Sequence, residues 1–553
     1  MGFIEMSERA RVRCYYSMVS SFYVQNFGCR ATQADGAAIE RQFEVNGLER
    51  THAIRDAQIV VLNTCTVTAS ADQDARAAIR RVHRENPQAQ IVVTGCYAQR
   101  APEELAALPG VSQVIGNSHK HELASIALVK ELHNGAVSSS ENSFVPLSSL
   151  SATSDSSQRP RTNDQRPIFV SDIFAHTELL AAPVFDAANE RTRPNLKVQD
   201  GCDNRCSFCV IPYVRGHSRS LRLDQILAEV NALVTAGYRE LVISGINLGR
   251  WGRDLEAGLR SQVSGLRKAG GSRVAGNSKA GGADARLATG DWRLVALIRA
   301  ILDHTSLEKL RVSSVEPMDW SDELIALMAG SPRIAKHAHV PMQSGSDSVL
   351  RRMHRKYRPW HYREKIEKIR AAMPTAAIGA DVMTGFPGET DAEFEATRRM
   401  IEDLPFTYLH VFTYSARPGT PAAAMPRQVP VQVARERNRI LRELGEQKKQ
   451  AFLESFVGKT AEAITLAHGN DASVATADAA DTQVGENVQD RFTEALTDNY
   501  LKLRLRGRRP ANHWIAARVV AVENGCLLAE ESTHHRDTES QSEARHMNDF
   551  CGA

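Results

Sequence analysis

The chain has 553 residues, 42% of them apolar and 24% charged, and a net charge of +3. This length exceeds a single hydrophobic core and predicts several globular domains of ordinary composition. Near-neutral charge excludes attachment to nucleic acid by the chain as a whole, and no apolar run approaches the roughly eighteen residues of a membrane span.

The N-terminus, "MGFIEMSERARVRCYY", carries acids and arginines where a secretion signal needs an apolar stretch. Residues 1–21 are expected to be a disordered leader and the location cytoplasmic, with no membrane partner. Thiols in that compartment stay reduced, so grouped cysteines point to metal or catalysis before disulfides.

Three short apolar runs follow, "FYVQNFGCR", "AQIVVLNTCTV" and "AQIVVTGCYA", ending near Cys29, Cys65 and Cys96. They read as buried parallel strands. The stretches between them, "ADGAAIERQFEVNG" and "ADQDARAAIRRVHRENP", read as helices, the second stopped by Asn86-Pro87. The alternation predicts a small parallel α/β domain over 22–136. Ligands of such sheets bind beyond the carboxyl ends of the strands. The three cysteines sit at those ends and can converge, although 36 and 31 residues separate them.

Residues 137–190 begin with a Ser-rich stretch that lacks the apolar content to offset ordering entropy, and are expected to be a linker. Over 191–454 six candidate strands recur: "NLKVQDG", "ELVISGINLG", "KLRVSSVEP", "HAHVPMQSGS", "AAIGADVMTGFPGE" and "YLHVFTYSARPGT". Helical stretches separate them, which predicts a partial (β/α) TIM-like barrel. Residues 256–290 are Gly/Ala/Ser-rich and read as a disordered insertion. Over 455–530 short alternating strands without helices predict a small all-β barrel, followed by a disordered tail over 531–553.

The first barrel strand leads into "DGCDNRCSFCVIPYVRG", which sets Cys202, Cys206 and Cys209 in a C-x3-C-x2-C spacing. A disulfide with a spare thiol conflicts with a reducing compartment. Closed zinc sites need a fourth ligand, which His217 could supply, but the spacing is not a usual zinc knuckle. Thiolates are the standard ligands of an iron–sulfur cluster, and three of them leave one iron open. The loop resembles the defining motif of the radical S-adenosylmethionine superfamily, where the open iron binds that cofactor and electron transfer releases a deoxyadenosyl radical. Phe208 also matches that superfamily.

With "NFGCRATQADG", "NTCTVTASAD", "VVTGCYAQRAPEEL", "SSVEPMDW", "HVPMQSGSDSVLRRMHRKY" and "IGADVMTGFPGETDAEF", the chain resembles the methylthiotransferases from about residue 22 to 530. The resemblance implies two 4Fe–4S clusters, the second held by Cys29, Cys65 and Cys96. It implies a sulfur that is methylated by one S-adenosylmethionine, then joined to an aromatic carbon whose hydrogen a second one removes by radical chemistry. An aromatic C–H is too weak an acid for a side-chain base. It also implies S-adenosylmethionine contacts from Ser244, Gly245 and Asn247, from Ser314 and Glu316, from Gln343 and Ser344, and from the glycines Gly385 and Gly388 beside the adenine.

Arg417 in "RPGT" is expected to reach substrate. The C-terminal module resembles the TRAM domain, a tRNA-binding β-barrel. Between Arg491 and Arg518 it has seven basic residues (Arg491, Lys502, Arg504, Arg506, Arg508, Arg509 and Arg518) against Glu494 and Asp498. With Tyr500 these predict a contact with the tRNA anticodon stem-loop. "FTYSARPGTPAAAMP" and "TDNYLKL" look most like the branch that acts on N6-threonylcarbamoyladenosine at position 37 of tRNA. The isopentenyladenosine branch and a non-catalytic metal-bearing RNA-binding protein are the alternatives. The sulfur and electron donors have no sequence signature. Cys14 and Cys551 carry no argued role, and Cys526 is expected in a core.

Overall fold

The computed structural model describes residues 21–134, 166–176, 179, 193–255, 293–467 and 492–531. Of the described residues, those up to Leu444 form one compact unit and those from Gly445 onward a second. The leader, the tail, most of the linker and the insertion expected above lie outside the described residues, as do Cys14, Arg491 and Cys551.

The first unit opens with a parallel sheet. Its strands are β1 (Ser21–Asn26), β2 (Glu49–Arg50), β3 (Ile59–Thr64), β4 (Gln90–Gly95), β5 (Val111–Gly116) and β6 (Ile168–Phe169), in the order β2-β1-β3-β4-β5-β6. Both faces of the central strands are covered, so β3 is buried at every position. Phe22, Ile59, Val61 and Val92 pack with Ile39 and Phe43 of the helix Arg30–Val45 and with Leu123 and Ala127. Val60, Leu62, Ile91 and Val93 pack on the other side with Ala75, Ile79 and Val82 of the helix Ala69–Glu85. The predicted strands are β1, β3 and β4. The end of the supposed linker returns to the sheet as β6, beside β5.

The barrel is an open arc of six parallel strands: β7 (Asn195–Asp200), β9 (Glu240–Gly245), β10 (Lys309–Val312), β11 (His337–His339), β12 (Ala377–Thr384) and β13 (Tyr408–Thr413). All six coincide with predicted strands. β9 pairs with β7 and β10, and β12 with β11 and β13, while bridges Leu310–Ile334 and Ser314–His339 join the two groups. The short β8 (Arg219–Ser220) runs antiparallel to β7. Helices such as Asp391–Asp403 connect the strands, and Thr390 with Glu393 closes a reciprocal capping box at its start.

The second unit is a closed barrel in the order β14-β15-β16-β18-β17, with β14 (Thr460–Thr465), β15 (Phe492–Thr497), β16 (Lys502–Arg506), β17 (Trp514–Glu523) and β18 (Cys526–Glu531). Ala463, Leu503, Leu505, Val519 and Leu527 fill it. β16 alternates strictly, with both leucines inside and Lys502, Arg504 and Arg506 exposed. Cys526, expected in a core, is half-buried at the start of β18, just after the turn at Gly525.

Candidate active site

Strand register brings the dispersed cysteines together. Thr64 of β3 pairs with Gly95 of β4, so Cys65 and Cys96 each stand one residue beyond a matched pair. Asn26 pairs with Asn63, and Phe27 N–H donates to Asn63 O, which carries the β1 end to the same edge. Gly28 then turns at φ +98°, and a Cβ there would lie 2.8 Å from Cys65 Sγ. Only glycine fits a left-handed turn packed that closely on a thiol. Cys65 and Cys96 are 5% and 2% exposed, whereas Cys29 is open to solvent. Burial pushes the Cys65 thiol up to about 12, and the neighbouring Cys96 and Cys29 add to the rise.

Beside this trio lies a buried charge cluster. Asp35, on the helix that starts after Cys29, pairs with Lys120 at 3.0 Å, with Arg215 at 2.9 Å and with Lys197 of β7. Lys197 and Arg215 also pair with Asp200, at 2.8 and 2.9 Å. Burial alone would raise both carboxyls. The surrounding cations outweigh it: Lys120, Lys197 and Arg215 hold Asp35 below the usual range, and Arg215, Lys197 and Arg219 hold Asp200 there. Arg219 also lies 3.8 Å from Asp200, and burial lowers the Lys120 pKa, so the positive charge beside Cys96 and Cys29 is that of Arg215. Arg215 Nε and Asn117 Oδ1 are buried without a hydrogen-bond partner, and Asn117 Nδ2 lies 3.6 Å from Cys96 Sγ. Three convergent thiols, a cationic wall and an unused N–H donor fit an anionic iron–sulfur group.

The second trio needs no sheet to assemble it. Asp200 ends β7, and the loop 201–210 carries Cys202, Cys206 and Cys209. Burial pushes Cys209 up to about 12, with Cys206 and Cys202 adding to the rise, and burial also raises Cys202. Iron must displace such protons on binding. Asn204 N–H and Asn247 Nδ2 approach Cys202 Sγ at 3.4 and 3.7 Å. Arg355, which the sequence did not reveal, donates to Cys206 Sγ at 3.3 Å and is gripped by Glu316. These donors suit cluster thiolates. Phe208 packs edge-on against Phe386, 6.3 Å away.

Among the expected cofactor residues, Ser244 Oγ, Asn247 Oδ1 and Gln343 Oε1 are buried with no hydrogen-bond partner. Gln343 holds a left-handed φ of 62° inside a strand bridge to Val382. Strain at a non-glycine beside unpaired polar atoms marks a ligand-facing surface. Gly245 lies against Gln199, and Ser314 bridges to His339. Ser344 is committed elsewhere: its hydroxyl meets Thr397 Oγ1 and accepts from Ser346 N–H. The glycines meet the chain itself. The close neighbour of Gly385 is Ala434, whose Cβ a side chain there would meet at 2.4 Å, and Gly388 N–H donates to Arg427 O. Both turn at φ +74°, and packing against Ala434 leaves no room for a side chain at Gly385.

Arg417 is corrected. It is 3% exposed and turned away from solvent, pairing with Asp72 and bonding Thr66 Oγ1 at 3.0 Å. Arg100 holds the same pair of residues. Arg417 therefore fastens the β13 turn to the N-terminal sheet. In the second unit Lys502, Arg504, Arg506, Arg508 and Arg518 are exposed, with Arg504 3.5 Å from Glu494 and Arg509 paired with Glu531. Tyr500 turns at φ 72° before β16.

Comparison with known proteins agrees with this division. Residues 21–116 match the model of the Uncharacterized protein family UPF0004, and residues 196–401 match that of the Radical SAM superfamily. The threonylcarbamoyladenosine tRNA methylthiotransferase MtaB of Bacillus subtilis is 32% identical over 87% of this chain and 89% of its own length. The protein of the same name from Rickettsia prowazekii is 33% identical over 79% and 86%. The tRNA-2-methylthio-N(6)-dimethylallyladenosine synthase of Thermobifida fusca is 31% identical over 81% and 78%.

Proposed function

Because the chain belongs to the radical S-adenosylmethionine methylthiotransferase family, we propose that it adds a methylthio group to C2 of N6-threonylcarbamoyladenosine at position 37 of tRNA. The observation that carries this reading is the presence of two thiol trios in one unit, one local and one built by a sheet. When bound, two 4Fe–4S clusters and S-adenosylmethionine supply the sulfur, the methyl group and the one-electron chemistry that breaks an aromatic C–H bond.

The chain supplies placement and charge. Cys202, Cys206 and Cys209 hold the radical-forming cluster, with Arg355 and Asn247 donating to the thiolates. Ser244, Asn247 and Gln343 offer unpaired polar atoms to the polar groups of S-adenosylmethionine. Cys29, Cys65 and Cys96 hold the sulfur-delivering cluster, and the positive charge of Arg215 offsets its negative charge. Lys502, Arg504 and Arg506 meet tRNA phosphates in the cytoplasm, near the anticodon loop. Among the described residues, no helix is long and apolar enough to cross a membrane.

The threonylcarbamoyl branch is supported by the two relatives named for that nucleoside and by the "RPGT" and "TDNYLKL" segments. Deleting the gene in its host and digesting bulk tRNA for nucleoside mass spectrometry tests it. The 2-methylthio derivative of threonylcarbamoyladenosine should vanish and its unthiolated precursor accumulate. Loss of the isopentenyl derivative instead would transfer the enzyme to the other branch.

A further inference from the structure

Three polar side chains inside the barrel have no part in the assignments above. His339 ends β11, Asp381 lies in β12 and His410 in β13, with Asp381 paired opposite His410. His339 Nε2 and His410 Nδ1 lie 3.4 and 3.6 Å from the same oxygen, Asp381 Oδ1. Tyr408 stacks on His339, with ring centroids 6.0 Å apart, and lies tilted against His410 at 5.3 Å. Gly379 makes room for it, since a Cβ there would come within 1.9 Å of the ring.

The trio grades from buried to open. His339 is 9% exposed, and neither of its ring nitrogens makes a well-aligned hydrogen bond within the protein. His410 is exposed. Charges belonging to both thiol sites reach this place. Burial lowers the His410 pKa, His339 and then Arg30, the residue after Cys29, lower it further, and Asp381 opposes them. Burial raises Asp381, but His339, His410 and Arg355, the donor to Cys206, together bring it below the ordinary range. At neutral pH His410 is therefore an uncharged imidazole beside a carboxylate. The trio borders the residues expected to meet S-adenosylmethionine: His339 bridges to Ser314, and Gln343 N–H donates to Asp381 O at 2.8 Å.

We propose that His339, Asp381 and His410 form the binding site for the N6 substituent of the target adenosine, a ureido-linked hydroxy acid, and set the preference for it over an apolar alkenyl group. The proposal rests on the function assigned above. Asp381 accepts from a ureido N–H or a hydroxyl, and the imidazoles donate to carbonyl or carboxylate oxygen. An alkenyl group offers none of these partners and, covering the trio, would leave the buried His339 ring nitrogens without one. Sites of that kind reject such analogues strongly.

The test measures binding of two anticodon stem-loop RNAs, one with threonylcarbamoyladenosine and one with isopentenyladenosine at position 37, by fluorescence anisotropy with the cluster-loaded protein. His410→Phe keeps a ring against Tyr408, and Asp381→Asn keeps shape; iron content and thermal unfolding show whether each is folded. Each variant should bind the threonylcarbamoyl RNA about three- to tenfold more weakly, the size of one lost hydrogen bond, while its affinity for the isopentenyl RNA stays within about twofold. A wild-type preference for threonylcarbamoyl RNA that both variants retain overturns the trio's role and leaves the enzyme's function standing. A wild type that binds and modifies only the isopentenyl RNA overturns both. A stoichiometric divalent ion lost in Asp381→Asn, with no change in RNA preference, makes the trio a metal site and also overturns the proposal.

Discussion

The two thiol trios contrast in how they are built. Cys202, Cys206 and Cys209 lie within one loop, and their spacing alone brings them together once β7 ends. Cys29, Cys65 and Cys96 meet only because β1, β3 and β4 pair in a fixed register, so that a one-residue slip would separate them. The local trio is held by hydrogen bonds from Arg355, Asn204 and Asn247 to sulfur. The dispersed trio is backed by Arg215, which is itself anchored to Asp200 at the root of the other loop. A motif that reads as a word in the sequence needs only a loop, whereas a scattered one needs a sheet and a charge clamp.

The contrast breaks most sharply on the cysteines themselves. Cys206→Ala should reduce formation of 5′-deoxyadenosine from S-adenosylmethionine, followed by liquid chromatography, to the level of cluster-free protein. Cys65→Ala should keep that cleavage while yielding no methylthio nucleoside by mass spectrometry. Equal loss of cleavage in both variants would mean that the trios do not act separately.

The charge clamp sharpens the comparison next. Arg215→Met leaves Asp35 and Asp200 buried with fewer cations and should cost about 3–5 kcal/mol in denaturant unfolding, with Arg215→Lys losing less. The pH dependence follows from the depressed carboxyls. Their folded pKa values lie below the unfolded carboxylate value near ~3.9, so their contribution is complete above it and lost only as pH falls through the folded values. Unfolding monitored between pH 5 and 7 should show no loss from these two carboxyls. A steep loss there would contradict it.

The smallest effect should come from the second unit. Changing Lys502, Arg504 and Arg506 to Gln should weaken tRNA binding about equally for modified and unmodified RNA. It should also flatten the salt dependence by about one unit of slope per lost phosphate contact. A change confined to one RNA would mean that this face reads bases.

The barrel strands and β1, β3 and β4 were legible because buried parallel strands are near-continuous apolar runs. β6 was not, because two residues leave no period to read, and β15 has only Phe492, Ala495 and Leu496 to mark it. Both cysteine trios were visible as residues, but only the register sets Cys65 and Cys96 side by side at the edge that the β1 end also reaches. Asp35 reads from sequence as a solvated helix position, and its partners Lys197 and Arg215 stand 162 and 180 positions away. Arg417 misled for the same reason: an arginine in a polar turn looks exposed until a distant Asp72 is known. Arg355 had no local signal, since its meaning lies in Cys206, 149 positions earlier.

Iron and Mössbauer analysis of anaerobically reconstituted protein tests the central claim most directly. Two cubes per chain predict about eight irons in the wild type and about four in the Cys29→Ala/Cys65→Ala/Cys96→Ala variant, with the remaining signal responsive to S-adenosylmethionine. A wild type holding only about four irons, unchanged in that variant, would contradict the account.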